Sequence, residues 1–370
     1  MKLSNNHSCL ILTVLICVFY FTGCCQESME ERSARIHKTV LTVDTHADTP
    51  FMLGFYQDYD MGQYHDPEKA VLQIDFPRMK DGGLDAIFFV AFVFQGERNA
   101  SGNLSAKNKA LSRISLIHDV VEANTALAEL ALLPEDAYRL EKTGKRAVYI
   151  GMENGYPIGD DLSLIEEYYD LGVRYIGLSH TSNNDICDSS TDPGGAEHNG
   201  LSSFGEQVVE EMNRLGIMID VSHVSDDTVR DVLEISTTPV IASHSSARAV
   251  YDHPRNLPDD LLIEIAETGG VIQATFYEGF VKEENLDNPA TISDFVDHID
   301  HIVDVAGIDH VGIGSDFDGG AMLSDCSEVS ELGNITLELV RRGYTEVEIK
   351  KIWGGNLLRV FGDVIEIAGL

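Results

Sequence analysis

Residues 217–223 read Ile-Met-Ile-Asp-Val-Ser-His and residues 239–244 read Pro-Val-Ile-Ala-Ser-His. Each is a short apolar run that finishes in Ser-His, and an amphipathic stretch, Asp226–Ile235, lies between them. Runs of this length, set between longer stretches of helical periodicity, read as strands buried on both faces, the kind that make parallel sheets. The same pattern continues in both directions. Candidate strands are Val40–Thr45, Leu84–Phe94, Arg146–Met152, Arg174–Ser179, Ile217–Ser222, Pro239–Ser243, Gly270–Phe276 and His310–Ser315. Helical stretches separate most of them, among them Leu162–Leu171, Ser203–Leu215, Pro258–Thr268 and Asp294–Ala306. Strand–helix alternation repeated about eight times predicts an α/β fold of the (β/α)8 TIM-barrel type. A doubly wound open sheet is the rival, but such a sheet gathers its ligands at one switch point. Here polar residues finish at least six of the runs.

Those finishing residues carry the chemistry. His46 and Asp48 close the first run, Glu153 the third, His180 the fourth, His223 the fifth, His244 the sixth and Asp316 the last. Side chains at strand C-termini of a barrel converge on the rim where such enzymes work. His46 and Asp48 stand at i and i+2, which in an extended strand puts both on one face. The alternative is a His and an Asp capping the next helix. Glu153 lies in Gly-Met-Glu-Asn-Gly, where burial is costly unless the carboxylate is paired or metal-bound; a salt bridge to Arg174 is the alternative. A single terminal His is more often a hydrogen-bonded core residue than a ligand, but two at equivalent positions beside a His-x-Asp pair favour ligation. This set suits a two-metal hydrolytic site. No lysine occurs between Lys145 and Lys282, so strands four to six offer no carboxylated lysine and Glu153 is the best bridge. Asp316 is placed as a proton acceptor. Its segment, Gly312–Gly320, lacks the G-x-G-x-x-G spacing of a dinucleotide site.

The ends are read separately. Lys2 precedes an apolar run, Cys9–Phe21, too short for a confident membrane span. Phe21-Thr22-Gly23-Cys24 resembles a lipobox, which makes 1–23 a lipoprotein signal peptide and Cys24 the lipidated residue. An ordinary signal peptide and an uncleaved anchor are the alternatives. Residues 24–35 are then a tether, 36–370 one domain, and the expected location is the bacterial cell envelope or periplasm. Ser28 with Glu31 forms a capping box for a helix over Ser28–Lys38. Asp48–Gly83 is long for a connection and predicts an extra helix or hairpin near the rim. Thr181–Leu201, rich in Asn, Asp, Ser and Gly, reads as an active-site loop. A net charge of −35 argues against nucleic acid or an anionic membrane surface as partner. Cys187 and Cys326 remain after the leader, with Cys25, and show no metal-knot spacing. They read as ordinary thiols, with a bridge between them as the alternative.

On these motifs the chain resembles the membrane dipeptidase family of binuclear zinc peptidases from about Ile36 to the C-terminus. The resemblance rests on Val43-Asp44-Thr45-His46-Ala47-Asp48, Gly151-Met152-Glu153-Asn154-Gly155, Gly205–His223, Ser243-His244-Ser245-Ser246-Ala247, Arg255-Asn256-Leu257-Pro258-Asp259-Asp260 and Gly314-Ser315-Asp316-Phe317-Asp318-Gly319. It implies two zinc ions, one held by His46 and Asp48, the other by His223 and His244, with Glu153 bridging. It implies that His180 contacts substrate and stabilises the tetrahedral intermediate, that Arg255 grips the substrate carboxylate, and that Asp316 is the catalytic aspartate. The expected reaction is hydrolysis of dipeptides, L-L and also L-D, by a hydroxide held between the zinc ions, in a protein that pairs as a homodimer. Two features depart from mammalian members: Ser182 stands where they have Cys, and there is no hydrophobic C-terminal tail. Alternatives are a barrel amidohydrolase acting on lactams, lactones or N-acyl amino acids, and a non-catalytic peptide-binding lipoprotein.

Overall fold

The computed structural model describes residues 27–370, so the leader and Cys24 lie outside the described residues. In chain order the strands are β1 (Val43–Ala47), β2 (Ala86–Phe92), β3 (Ala128–Leu130), β4 (Arg146–Glu153), β5 (Val173–Gly177), β6 (Met218–Asp220), β7 (Ile241–Ala242), β8 (Val271–Ala274) and β9 (Val311–Ile313). All pairings are parallel, in the order β1-β2-β4-β5-β6-β7-β8-β9, and β3 hangs outside on β4. The ring closes at the mouth, where Ala47 bridges Phe317 and the Asp316 amide donates to the His46 carbonyl at 3.0 Å. The eight expected runs are the eight strands of a (β/α)8 barrel.

The strands are apolar on both faces because each face meets a different core. Phe88, Val90, Tyr149, Tyr175, Met218, Ile241 and Val271 fill the barrel. They pack with Leu357, Leu358, Val360, Phe361 and Val364 of the helix Asn356–Ile367. Ile87, Phe89, Ala91, Val148, Ile150 and Met152 alternate with them and pack into the outer layer of helices. Each fully buried large side chain contributes roughly 1.5–3 kcal/mol. One interior position must stay small. A Cβ on Gly151 would lie 2.2 Å from the Tyr175 ring, so glycine there is what lets Tyr175 reach across the barrel.

The capping box is present: Ser28 accepts from the Glu31 amide and Glu31 from the Ser28 amide, and the helix runs Met29–Thr39. This corrects the tether boundary. Ile36 is buried, Arg32 donates to the Tyr344 carbonyl and His37 bonds Thr336 at 2.7 Å. Met29–Arg35, which the sequence assigns both to the tether and to the capped helix over Ser28–Lys38, therefore belongs to the folded unit. The helices Ser203–Leu215, capped by Ser202 and stopped by Gly216 in the left-handed region, and Asp226–Ile235 stand as expected. The Asp48–Gly83 stretch holds two short helices, Thr49–Leu53 and Phe76–Asp81. Buried Arg78 pins it, donating to Asp75 at 2.6 Å and Glu328 at 3.0 Å.

The helix Ala100–Ala123 has no counterpart in the sequence reading. Its buried stripe is Ala106, Ala110, Ile114, Ile117 and Val121, and alanines at the first two positions give little hydrophobic periodicity. Cys187 and Cys326 are buried free thiols. Among the described residues, no helix is long and apolar enough to cross a membrane.

Candidate metal centre and active site

Every sequence-predicted ligand arrives at one point in the barrel mouth, with Glu153 at its centre. Its Oε1 lies 3.0 Å from His223 Nε2, 3.5 Å from His244 Nε2 and 3.7 Å from His180 Nε2. Its Oε2 lies 3.6 Å from His46 Nε2, which is 3.9 Å from Asp48 Oδ2. Three groups have ligand atoms within 4.8 Å of one another: His46–Glu153–His244, Glu153–His180–His223 and His46–Asp48–Asp316. The Arg174 alternative falls away, because its guanidinium donates to the carbonyls of Leu132, Tyr169 and Val173.

The capping alternative for Asp48 is resolved in an instructive way. Asp48 does occupy the N-cap position of Thr49–Leu53, but its side chain caps nothing, and Oδ1 is buried without a hydrogen-bond partner. Nor does strand alternation bring it beside His46. β1 ends at Ala47, its register is irregular after Asp44, and Asp48 has φ −84° and ψ 13°. The chain turns in toward the site instead. His223 and Asp316 sit at φ 70° and 65°, and Asn154, next to Glu153, at 72°. Non-glycine residues in this region store of order 1–3 kcal/mol of strain, which gathers at functional sites.

Hydrogen bonds orient the imidazoles. The Tyr175 hydroxyl donates to the Thr45 carbonyl, so it accepts from His46 Nδ1–H at 3.0 Å and leaves Nε2 as the ring nitrogen that faces the site. The Ser243 hydroxyl donates to Asp220 at 2.6 Å, so it accepts from His244 Nδ1–H at 2.8 Å with the same result. Asp220 also accepts the amides of Ser222 and Ser243. Asp44 repeats this arrangement on the other side, accepting the amides of His46 and Ser315 and the Ser315 hydroxyl. Such partners typically tune metal affinity 10–100-fold. Sequence reasoning missed Tyr175, Asp44, Asp220, Ser243 and Ser315. The available signal was an Asp inside an otherwise apolar strand, twice. Tyr175→Phe is expected to keep the fold and lower metal affinity about 10–100-fold, measured by competition with a chelator of known affinity; unchanged affinity would remove Tyr175 from this role.

The electrostatics favour a cation. Burial opposes charge on His46, yet the carboxylates of Glu153, Asp48 and Asp316 outweigh it and push its pKa up to about 10. Burial raises Glu153, but the neighbouring His180 and His46 outweigh it and hold its carboxyl well below the usual range. Burial, opposed by His46, raises Asp316 to about 7. Burial lowers His180, His223 and His244, which favours their neutral imidazole forms. His46 Nε2 and His223 Nδ1 are buried without hydrogen-bond partners, and His223 Nε2 faces His244 Nε2 at 2.8 Å. A field that gathers a proton onto His46 also attracts a divalent ion, and imidazole–carboxylate donors fit one.

Around this centre the Thr181–Leu201 loop is held close: Ser190 N donates to the His223 carbonyl, and Ser189 Oγ to the His180 carbonyl at 2.5 Å. Asp188 accepts the amides of Glu197, His198 and Gly200. Arg255 lies buried beside the cluster. It donates to the Ser245 hydroxyl and the His244 carbonyl and stacks 5.0 Å from the Phe280 ring; among the described residues it has no carboxylate within ion-pair distance, and its Nε is unpartnered.

A parallel barrel whose strand ends bring four histidines and three carboxylates together defines a hydrolase of the metal-dependent class. The chain belongs to the membrane dipeptidase family, peptidase family M19, whose sequence model matches residues 30–369. It is 34% identical over 344 residues to dipeptidase verJ of Clonostachys rogersoniana, covering 91% of this chain and 87% of that protein. It is 33% identical over 331 residues to dipeptidase tcpJ of Claviceps purpurea (strain 20.1), covering 88% and 77%. Among solved structures, the probable dipeptidase PvdM from Pseudomonas aeruginosa aligns with TM-score 0.83 and 29% identity over 92% of this chain and 99% of that one. The dipeptidase AC, a metallopeptidase of the same family, aligns with TM-score 0.79 and 26% identity over 88% and 99%.

Proposed function

We propose that this protein is a dipeptidase working on a binuclear zinc site, that it accepts L-L and L-D dipeptides, and that recognition depends on the free carboxylate of the substrate. The observation that carries the reading is Arg255. A buried guanidinium with no carboxylate partner, bonded to the carbonyl of His244, is an anion receptor set against the metal-type cluster. His46 and Asp48 would hold one ion, His223 and His244 the other, with Glu153 between them. Bound there, the ions would lower the pKa of a water toward ~7 and polarise the scissile carbonyl.

The chain's own groups supply the rest. Asp316 accepts the proton of the attacking water and passes it to the departing amine. His180, whose pKa burial lowers, would turn its one ring N–H toward the developing oxyanion and donate to it. Arg255 holds the C-terminal carboxylate, which sets the distance to the scissile bond. One more residue moves that carboxylate by about 3.3–3.6 Å, so tripeptides are excluded. Cys24 is proposed to carry lipid and hold the exported protein at the cell envelope; Cys24→Ser would then release it from the membrane fraction.

The test is release of amino acids from L-L and L-D dipeptides and from tripeptides, with the protein as purified, after chelation and after zinc is restored. Cleavage of dipeptides alone, lost on chelation and regained with zinc, is expected. Hydrolysis of lactams, lactones or N-acyl amino acids in place of dipeptides would overturn the substrate assignment. A folded, metal-loaded protein that hydrolyses none of them would point to a binding role.

A further inference from the structure

A cavity lies at the end of the barrel opposite the ligand cluster. The metal-type side chains follow strand ends, whereas this cavity is lined where strands begin: Arg174 is the second residue of β5, and Gly216 comes just before β6. The helix Asn356–Ile367 closes that end. It packs Leu357 and Phe361 into the barrel core and lines the cavity with Leu358, Gly362 and Ile365. The volume is about 730 Å³, within the range of about 300–1,000 Å³ that small-molecule sites occupy. Leu132, Leu133 and Tyr138 also line it and are 38%, 49% and 38% exposed, an apolar surface left open to solvent. The base of such a barrel serves stability rather than chemistry, so a molecule held here is not a substrate.

One guanidinium in this cavity has spare capacity. Arg174 is only 7% exposed. Its Nε donates to the Leu132 carbonyl, its Nη1 donates to the carbonyls of Tyr169 and Val173, and its Cζ lies 4.4 Å from the Tyr169 ring centre. Among the described residues its Nη2 donates to nothing, and Arg174 forms no salt bridge. Arg359, which also lines the cavity, is committed by contrast: it donates to Asp363 at 3.2 Å and to the carbonyls of Gly269 and Asp309. A buried arginine fixed by three carbonyls, with one nitrogen left free beside a cavity, is a preorganised anion receptor. The surroundings limit the anion. Glu135, Asp363 and Glu366 line the same space and repel a dianion more than a monoanion, and the leucines beside Arg174 favour hydrocarbon next to the charged end.

We infer that this cavity binds a small monocarboxylate with an apolar body, an aliphatic or aryl-alkyl acid, its carboxylate on Arg174 and its hydrocarbon against Leu132, Leu133, Tyr138 and Leu358. Calorimetry on the full zinc-loaded chain tests this with octanoate, octan-1-ol, octyl phosphate and butyrate. Octanoate is expected to bind about tenfold or more tighter than octan-1-ol, which lacks the charge-assisted bond. It should also exceed butyrate by about tenfold or more, because the shorter chain buries less hydrocarbon, and it should exceed octyl phosphate. Arg174→Met removes the preference for octanoate over the alcohol. That variant also loses three bonds to carbonyls, so two milder ones accompany it. A Cβ on Gly362 would meet only Pro134, at 4.0 Å, so Gly362→Leu fills the cavity, and leucine suits a helix better than glycine. Leu133→Glu sets a charge on the half-exposed apolar wall. Both are expected to weaken octanoate about tenfold or more with circular dichroism and dipeptide turnover unchanged, whereas Arg255→Met, at the mouth, leaves octanoate binding as it is. Octanoate bound no tighter than octan-1-ol, octyl phosphate bound as tightly as octanoate, or binding lost in Arg255→Met and kept in Gly362→Leu overturns the assignment. So does an absence of binding together with a dimer, seen by light scattering, that Leu133→Glu dissociates; that result gives this face to a second copy of the chain.

Discussion

Glu153→Gln is expected to lower kcat/KM by at least ~10³-fold, about 4 kcal/mol of transition-state stabilisation, and to strip the protein of metal. The reason is geometric. One buried carboxylate stands within 3.0–3.7 Å of four imidazole nitrogens. Its low pKa keeps it charged throughout the neutral range. Glutamine keeps the volume, so the barrel should fold, but it removes the charge that offsets two ions in a buried site. Elemental analysis after dialysis should find about two zinc ions per wild-type chain, as a binuclear site requires, and one or fewer in the variant. Zinc should raise the wild-type Tm, because an ion that binds only the folded state stabilises it, and should raise the variant's far less. A variant with full metal content and ordinary turnover would show that Glu153 is not the bridge.

Arg255→Met is expected to separate binding from stability. Methionine fills a similar volume but cannot receive a carboxylate, and charged hydrogen bonds of this kind contribute about 1.5–3 kcal/mol. KM should therefore rise roughly 10–100-fold, with metal content unchanged. Stability should move the other way. Burial, opposed by the more distant charges of Asp316, Glu153 and Asp220, holds the Arg255 pKa down to about 10, and among the described residues Arg255 forms no salt bridge. Burial penalises a charge that has no ion-pair partner, so an apolar group in its place is expected to leave Tm unchanged or raise it. A higher Tm with a weakened KM would mark Arg255 as kept for binding at a cost in stability. A fall in metal content equal to the loss of substrate binding would instead make it part of the metal site's scaffold.

The parts of the site that were legible in the sequence are those that sit at the ends of periodic runs. His46, Glu153, His180, His223, His244 and Asp316 each follow a strand-like stretch, and the barrel brings strand ends to one rim. Arg255 was different. It lies in an irregular segment, Arg255–Pro258 following Ser-Ser-Ala-Arg, where no period points anywhere, and it entered through family resemblance alone. Asp48 was identified for an incomplete reason: the chain turns it inward after the strand instead of alternating it onto one face. The helix Ala100–Ala123 was missed because its contact stripe begins with alanines.

By itself, then, the sequence determined the strands, the capped helices and which polar side chains stand at strand ends, because each of these depends on spacing over a few residues. Only the tertiary structure decided which of these meet and what orients them. Tyr175 reaches His46 across 129 positions and Ser315 reaches Asp44 across 271. Such contacts depend on how the sheet closes into a ring and on Gly151 leaving room for the Tyr175 ring, and neither leaves a periodic trace in the chain.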